Sequence, residues 1–401
     1  MEDNKTDIYN FIHHNHSKDP VKILLSHKQF QYDFDLNFAV TQIICRKKYA
    51  EKLKNFLSYP QFLFPDSISA EQASHRAVAQ FHASLIQSSQ TILDMTAGLG
   101  IDVMTFATKD AQITAIELNP QKANLLIHNS KTIGLSNLKV INADSIEYLK
   151  KSNNHYDLIF IDPSRRDSSN NRVYSLNDSA PDVISNQDLL LSHADSIFIK
   201  ASPLLDIHQL LKSLRNITSI KAIGVKGECK EILIEMIPEV KINESSKVLL
   251  EAINLDSEGN VISKFSEDLE PSTNTFIQYA GPNDIYKGIY ILEPSAMIMK
   301  LAPWNSLCRC YKAKKLDKSS NIFITSEFPA DFPGRITIFD RFLSKQDRKT
   351  FSGFPASVIS KNHPLSSEDL RKKLNVKEGD EHFIYATKTN DKPVIFLSHK
   401  P

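Results

Sequence analysis

The sequence of 401 residues predicts an α/β protein built on a doubly wound sheet of six parallel strands plus one antiparallel strand. A helical region precedes this sheet and a small α/β domain follows it. Three observations carry the prediction. Short apolar runs alternate with helical periods through the first half of the chain, a glycine turn joins the first run to its helix, and only a short turn separates the last two runs.

Taken in order, residues 1–66 read as a mainly helical region, with Ile8, Phe11 and Ile12 and then a periodic segment around Phe38 to Leu57 that Pro60 and Pro65 close. His13, His14 and His16 have no acidic or cysteine partner nearby, so solvated side chains are expected there and no metal. Ser69 is expected to open the next helix, since Ser69 to Gln72 fits a capping box and Ala73 to Ile86 keep a helical period. The strands expected next are Ile92–Asp94, Ile113–Glu117, Leu138–Ile141, Leu158–Asp162, Ser196–Lys200, Ile220–Val225 and Ile232–Ile237. Lys226 to Glu231 is too short for a crossover helix, so the final pair should be antiparallel. Lys247–Leu255 and Val261–Phe265 look like a hairpin around SEGN. The region from Lys287 to Phe323 reads as a small strand and helix unit. Arg335–Phe339, Ser357–Ser360, His382–Ala386 and Val394–Leu397 read as strands, with a helix capped by Ser366 between them. The expected domains are 1–66, 67–266, 275–326 and 327–401.

The stretch TILDMTAGLGID, residues 91–102, organises the rest. Asp94 ends a buried strand, Gly98 and Gly100 turn the backbone, and Ile101 begins a helix whose first amides and dipole favour a negative group. A glycine turn alone is equally a steric device. Glu117, 23 positions beyond Asp94 at the end of the second strand, is placed to accept from ribose hydroxyls. Where a dinucleotide fingerprint has its third glycine this chain has Val103, which favours a cofactor with ribose but no diphosphate. S-adenosylmethionine meets that description, with its carboxylate at the turn, its ribose on Glu117 and its adenine near Asn142, Ala143 and Asp144.

DMTAGLGID, AIELNP and NADSIEYL, in that order, resemble the motifs of class I methyltransferases, whose sheet is Rossmann-like with one antiparallel strand. The resemblance implies cofactor contacts from Gln72, Asp94, Thr96, Ala97, Gly98, Gly100, Asp102, Glu117, Leu118, Asn119, Asp144, Ser145 and Asp162. In YDLIFIDPSRRD, the fourth strand ends where the ligand crevice should lie. Asp162 and the backbone around Pro163 can hold an amine with its lone pair toward a methyl group, and such orientation supplies about 7–11 kcal/mol. The stretch resembles the Asp/Asn-Pro-Pro-aromatic motif of amino methyltransferases, with Ser164 for the second proline and Arg165 for the ring. An arginine plane can stack on a base or bind phosphate. Asp162, Pro163, Ser164 and Arg165 are therefore the catalytic candidates, and Arg166, Lys200 and Ser202 line the substrate side. A ring nitrogen or a carbon acceptor stays open, the latter with Cys229 as the candidate nucleophile.

The net charge of +1 conceals an asymmetry. From Lys300 onward there are 19 Lys and Arg against 11 Asp and Glu, or +8, which leaves −7 for the preceding residues. A basic end on an acidic body favours a nucleic-acid partner, although lysine-rich helices are often only solvated. EQASHRAVAQFHASL, KASPLLDI, GECKE, IYILEPSAMI, FPGRI and SKNHPLSSEDLRKKL extend the resemblance to bacterial class I methyltransferases that end in a ferredoxin-like piece and a THUMP-like domain. It implies tRNA or rRNA as substrate, with Lys361, His363, Arg371, Lys372 and Lys373 touching phosphate. The alternatives are methylation of a small molecule or protein, an RNA-binding protein with a vestigial cofactor fold, and a nicotinamide oxidoreductase. Mean hydropathy is negative, no apolar run approaches 18 residues, and MEDNKTDIYN does not read as a leader, so a cytoplasmic location is expected and no membrane. Cys45, Cys229, Cys308 and Cys310 form no CxxC pair, so neither structural metal nor disulfides are expected. Oligomeric state is not legible.

Overall fold

In the computed structural model the described residues are 3–27, 31–164, 176, 179–238, 247–269, 277–344, 346–347 and 351–401. They form two compact units, the first made mainly of residues up to 248 and the second mainly of residues from 249 onward.

The first unit begins with helices α1 (Asp3–Asn15), α2 (Pro20–His27) and α3 (Leu36–Lys48), which bury Phe11, Ile12, Ile23, Val40 and Ile43 in one cluster. His13, His14 and His16 are exposed. After the short α4 (Lys54–Leu57), residues 62–64 carry no regular structure and are fixed by side-chain amides acting as surrogate backbone. Gln42 bonds both ways with Phe64, at 2.8 and 2.9 Å, and Asn129 bonds both ways with Leu63, at 2.9 and 2.8 Å. Buried amides paired on both sides avoid the cost of stranded polar groups.

The next helical segment differs from the sequence expectation. Helix α5 (Ser67–Gln72) is capped by Asp66, whose carboxylate accepts from the Ser69 amide at 2.6 Å, so Asp66 and not Ser69 opens it. The chain then breaks at residues 73–75, and α6 (Arg76–Ser84) starts afresh with His75 as its cap. Seven strands follow: β1 (Thr91–Asp94), β2 (Gln112–Glu117), β3 (Leu138–Asn142), β4 (Tyr156–Ile161), β5 (Ala194–Ala201), β6 (Ile217–Val225) and β7 (Glu228–Met236). Helices α7 (Ile101–Ala107), α8 (Pro120–Ile133), α9 (Ser145–Lys151), α10 (Gln187–His193) and α11 (Ile207–Ser213) alternate with them. The spatial order is β3-β2-β1-β4-β5-β7-β6. Pairs β1/β2, β2/β3, β1/β4 and β4/β5 are parallel, and β5/β7 is antiparallel. Sheets covered on both faces want near-continuous apolar strands, and β4 is buried at every position from Leu158 to Ile161. The turn between β6 and β7 is shorter than expected, Lys226 and Gly227 alone, which draws Cys229 and Glu231 into the seventh strand.

The second unit contains the hydrogen-bonded neighbours β8 (Leu249–Leu255) and β9 (Val261–Asp268), and a seven-stranded sheet. That sheet uses β10 (Tyr290–Pro294), β11 (Lys314–Lys315), β12 (Phe323–Thr325), β13 (Gly334–Phe342), β14 (Ser357–Ser360), β15 (His382–Thr389) and β16 (Lys392–His399), in the order β11-β12-β10-β13-β16-β15-β14. Helices α12 (Ala296–Leu301), α13 (Trp304–Cys310) and α14 (Ser367–Leu374) accompany it. Ser366 caps α14 as the sequence implies, accepting from the Asp369 amide. One apolar cluster gathers Ile291, Ile324, Phe339 and Phe396 around fully buried Tyr385, and another packs Leu370 and Leu374 of α14 under Ile384 and Ile395. Among the described residues no helix is long and apolar enough to cross a membrane.

Candidate active site at the carboxyl edge of the first sheet

Strands β1, β2 and β4 end side by side, and the loops that leave them form the site. Gly98 and Gly100 have φ of 55° and 86°, the left-handed region that only glycine occupies without strain. A Cβ on Gly100 would lie 2.2 Å from Leu126 Cδ1, so the second glycine lets α8 pack against the turn. A Cβ on Gly98 would meet only the Thr96 carbonyl, 3.8 Å away, so that side of the turn is open. Gly100→Ala is expected to cost about 2–4 kcal/mol from the left-handed backbone and the clash together, read as a lower midpoint in urea unfolding. A loss below about 0.5 kcal/mol would contradict this account.

Glu117 closes the same turn: its carboxylate accepts from the Gly98 amide at 2.9 Å and the Asn119 amide at 2.7 Å. Ala97 donates to the Ile116 carbonyl, and Leu118 stands 69% exposed beside Glu117. Asn119 caps α8, Asp144 caps α9 and is otherwise exposed, and Ser145 is buried behind it. Asn142 ties the two edges together by donating to the Glu117 and Leu118 carbonyls at 2.8 and 2.9 Å. Asp144 also borders a concavity with Ala143, Glu147, Tyr148 and Lys151. Gln72 is exposed at the end of α5.

Beneath this edge lies a buried ionic cluster that the sequence did not announce. Lys200 is 5% exposed. Its ammonium donates to Ser74 Oγ at 2.6 Å and Asp162 Oδ2 at 2.7 Å, with Asp102 and Glu231 oxygens at 3.6 and 3.7 Å. Fully buried His82 sits between Asp102, 3.0 Å from Nδ1, and Glu231, 2.6 Å from Nε2. Ser74 Oγ also donates to Asp102. Burial opposes the imidazolium, but the Glu231 and Asp102 carboxylates override it and raise His82 to about 9. Burial likewise opposes the charged forms of Asp102, Glu231 and Lys200. Lys200 and His82 nevertheless hold both acids below their ordinary range, and Asp102, Asp162 and Glu231 raise Lys200.

Asp94 is different. Its recorded partners are the amide and hydroxyl of Thr96, at 2.7 and 3.4 Å. Burial, reinforced by nearby Asp102 and Asp162, pushes it up to about 8 despite the Thr96 amide. Thr96 in turn accepts from the Asp162 amide at 2.7 Å, locking the end of β1 to the loop after β4.

The structure thus brings Asp94, Asp102, Asp162 and Lys200 into one cluster and sets Thr96, Gly98 and Glu117 beside the turn. Asp162 lies one residue past β4, its side chain one-third exposed; Pro163 is buried, and Ser164 bridges to Ala180 through its amide at 2.8 Å. Arg165 and Arg166 lie outside the described residues. Ser202 accepts from the Leu204 amide in the turn after β5. In the second unit Lys361 pairs with Glu293 at 3.3 Å, Arg371 with Glu378 at 3.5 Å and Lys372 with Glu368 at 2.7 Å. Lys373 is exposed, and His363 accepts from the Leu365 amide. His82 and Glu231 were missed by the sequence reading. Their signal was a histidine within the apolar period of RAVAQFHAS and an acid opening the apolar run ILI.

Comparison with known proteins agrees with this architecture. Residues 89–250 match a family model described as RNA cap guanine-N2 methyltransferase, residues 290–333 a ferredoxin-like domain and residues 341–400 a THUMP domain-like model. The crystal structure of a candidate methyltransferase from Porphyromonas gingivalis W83 is similar over 100% of this chain and 98% of its own, with TM-score 0.85 and 26% identity. The fold is that of class I methyltransferases, and the chain is similar more particularly to those in which ferredoxin-like and THUMP-like segments follow the methyltransferase-like unit. Ribosomal RNA small subunit methyltransferase J of Psychrobacter arcticus is 26% identical over 107 residues, 23% of this chain and 36% of that protein. Its counterpart from Hydrogenovibrio crunogenus is 34% identical over 92 residues, 20% and 33% respectively. An uncharacterized RNA methyltransferase of Mycoplasma mobile is 27% identical over 84 residues, 21% and 23% respectively. The chain thus spans between about a quarter and a third of the length of these curated relatives.

Proposed function

We propose that the protein transfers a methyl group from S-adenosylmethionine to a nitrogen on a base of structured RNA, tRNA or rRNA. The observation that carries this is the meeting of the open glycine turn, Glu117 and Asp162 along one sheet edge. The residues fit the cofactor. Glu117 spends two lone-pair directions on backbone amides and keeps others for ribose hydroxyls, the open side of Gly98 leaves room for the methionine end, and exposed Leu118 offers an apolar surface to adenine. When bound, the cofactor supplies an electrophilic methyl group on a sulfonium centre. Asp162 accepts from the acceptor N–H and orients its lone pair, which is the geometric contribution such transfers need.

The similarity to RNA methyltransferases, the match to a THUMP-like model and the basic end of the chain support RNA as the acceptor. The ion pairs of Lys361, Arg371 and Lys372 are partly exposed, worth little, and so exchangeable for phosphate. Calorimetry should show the cofactor or its demethylated product binding to the full chain, and label from the cofactor methyl group should enter total RNA. The absence of binding to the intact protein would refute the cofactor assignment, and binding without label in RNA would refute the substrate class.

A further inference from the structure

Lys200 follows the fifth strand's apolar run, where a lone lysine facing a crevice reads as a phosphate or base ligand. Its surroundings do not leave it free for that. Two of its three N–H directions are committed to Ser74 Oγ and Asp162 Oδ2, and the third is flanked by Asp102 and Glu231. These partners come from four separate segments: the break between α5 and α6, helix α7 behind the glycine turn, the loop after β4, and β7. Among its described acidic partners Asp162 reaches solvent most, 33% exposed against 10% for Asp102 and 6% for Glu231.

We infer that Lys200 is a positioning residue for methyl transfer: it fixes the Asp162 carboxylate through Oδ2 so that Oδ1 meets the acceptor N–H. The inference rests on the function proposed above. Asp162 is also held from the other side, since its amide donates to Thr96, so backbone and side chain are both anchored. The charged groups that act on it are Lys200 from β5 and Asp94 at the end of β1, while Asp102 from α7 shares both of these neighbours. In the step itself, the acceptor nitrogen bonds to the methyl carbon while the carbon–sulfur bond breaks and its electron pair returns to sulfur. The nitrogen's surplus proton passes to Asp162 Oδ1, and water collects it after product leaves. Lys200 touches neither the nitrogen nor the methyl group. Held ammonium and anchored carboxylate together keep the acceptor oxygen within the few tenths of an ångström that productive alignment demands.

The test separates positioning from substrate contact. Full-length Lys200→Met, Lys200→Gln and Lys200→Arg are compared with wild type for methyl transfer to total RNA, for binding of S-adenosylhomocysteine by calorimetry, and for the salt dependence of RNA binding. A positioning lysine predicts that kcat falls by about 100-fold in the Met and Gln variants, the scale of a misaligned acceptor, and recovers to within about tenfold in Lys200→Arg. The KM for RNA and the slope of log affinity against log salt should stay as in wild type. A phosphate contact predicts instead a higher KM and a slope shallower by about 0.7–0.9, and that outcome overturns the inference, as does unchanged kcat. Crystal structures of the Gln and Arg variants supply a readout independent of RNA. Asp162 should leave its place in Lys200→Gln and keep it in Lys200→Arg, and an unmoved Asp162 in the Gln variant sinks the inference. If the wild type methylates no RNA, the proposed function fails, and these two structures still decide the role of Lys200.

Discussion

The variant His82→Ala is expected to lose about 3–5 kcal/mol of folding stability, the scale seen when one partner of a buried ion pair is removed. The imidazolium is completely buried and serves two carboxylates, Asp102 and Glu231, that have little water to turn to. The loss should depend on pH in a definite sense. A histidine raised in the folded state contributes stability that is complete below its unfolded value near 6.5 and is lost as pH climbs through about 9. Asp102 and Glu231 are held low, so their share is complete above roughly pH 4.5 and fades as pH falls through their folded values. The difference between wild type and variant should therefore be largest between about pH 4.5 and 6.5 and shrink toward pH 9. Thermal unfolding of both proteins across that range measures it. A difference that stays flat, or below about 1 kcal/mol at pH 6, would remove the charged histidine from the account.

Asp162→Asn should retain cofactor binding and lose methyl transfer. Only the side-chain oxygen is exchanged, so the amide bond to Thr96 and the loop after β4 persist. The asparagine can still accept from an N–H, but it can no longer take up the proton as the new N–C bond forms. Transfer to RNA is expected to drop by about 100- to 10,000-fold, the usual contribution of a positioned base. Affinity for S-adenosylhomocysteine should stay within about threefold, the effect of a weak neighbouring charge. Full activity in Asp162→Asn would mean the acceptor is deprotonated elsewhere, while lost cofactor affinity would move Asp162 from the acceptor to the cofactor.

The sheet was legible because its determinants are local. Apolar runs such as Ile92–Leu93 and Leu158–Ile161 need only their own sequence to announce buried parallel strands, and a connection between the last two strands no longer than Lys226 to Glu231 is too short for a crossover helix, even though the structure narrows it to two residues. Pairs of glycines with positive φ mark their turn for the same reason. Boundaries were less legible where more than one nearby residue can cap a helix or an apolar period runs across a break. Asp66 took the capping role from Ser69, and His75 restarted a helix whose apolar period runs on unbroken. The charged cluster was the least legible part. Lys200 meets Ser74 across 126 positions and His82 meets Glu231 across 149, distances in sequence at which no periodicity or spacing carries information. Asp144 shows another limit: an acid at a strand end satisfies the cofactor motif and the capping rule equally, and in the structure its side chain caps α9.

The antiparallel course of β7 has a consequence for how the protein is born. Because Glu231 lies on β7, which pairs with β5 but is synthesised after β6, the cleft lacks part of its counter-charge until the ribosome has released the chain well past that residue. A nascent chain that has extruded only the first five strands holds Asp102 and Asp162 beside His82 and Lys200, but His82 Nε2 still lacks its Glu231 partner. Pairings this distant form late in folding, so the glycine turn can be in place long before the floor beneath it, and the charged cluster is complete only when synthesis of the first unit is essentially over.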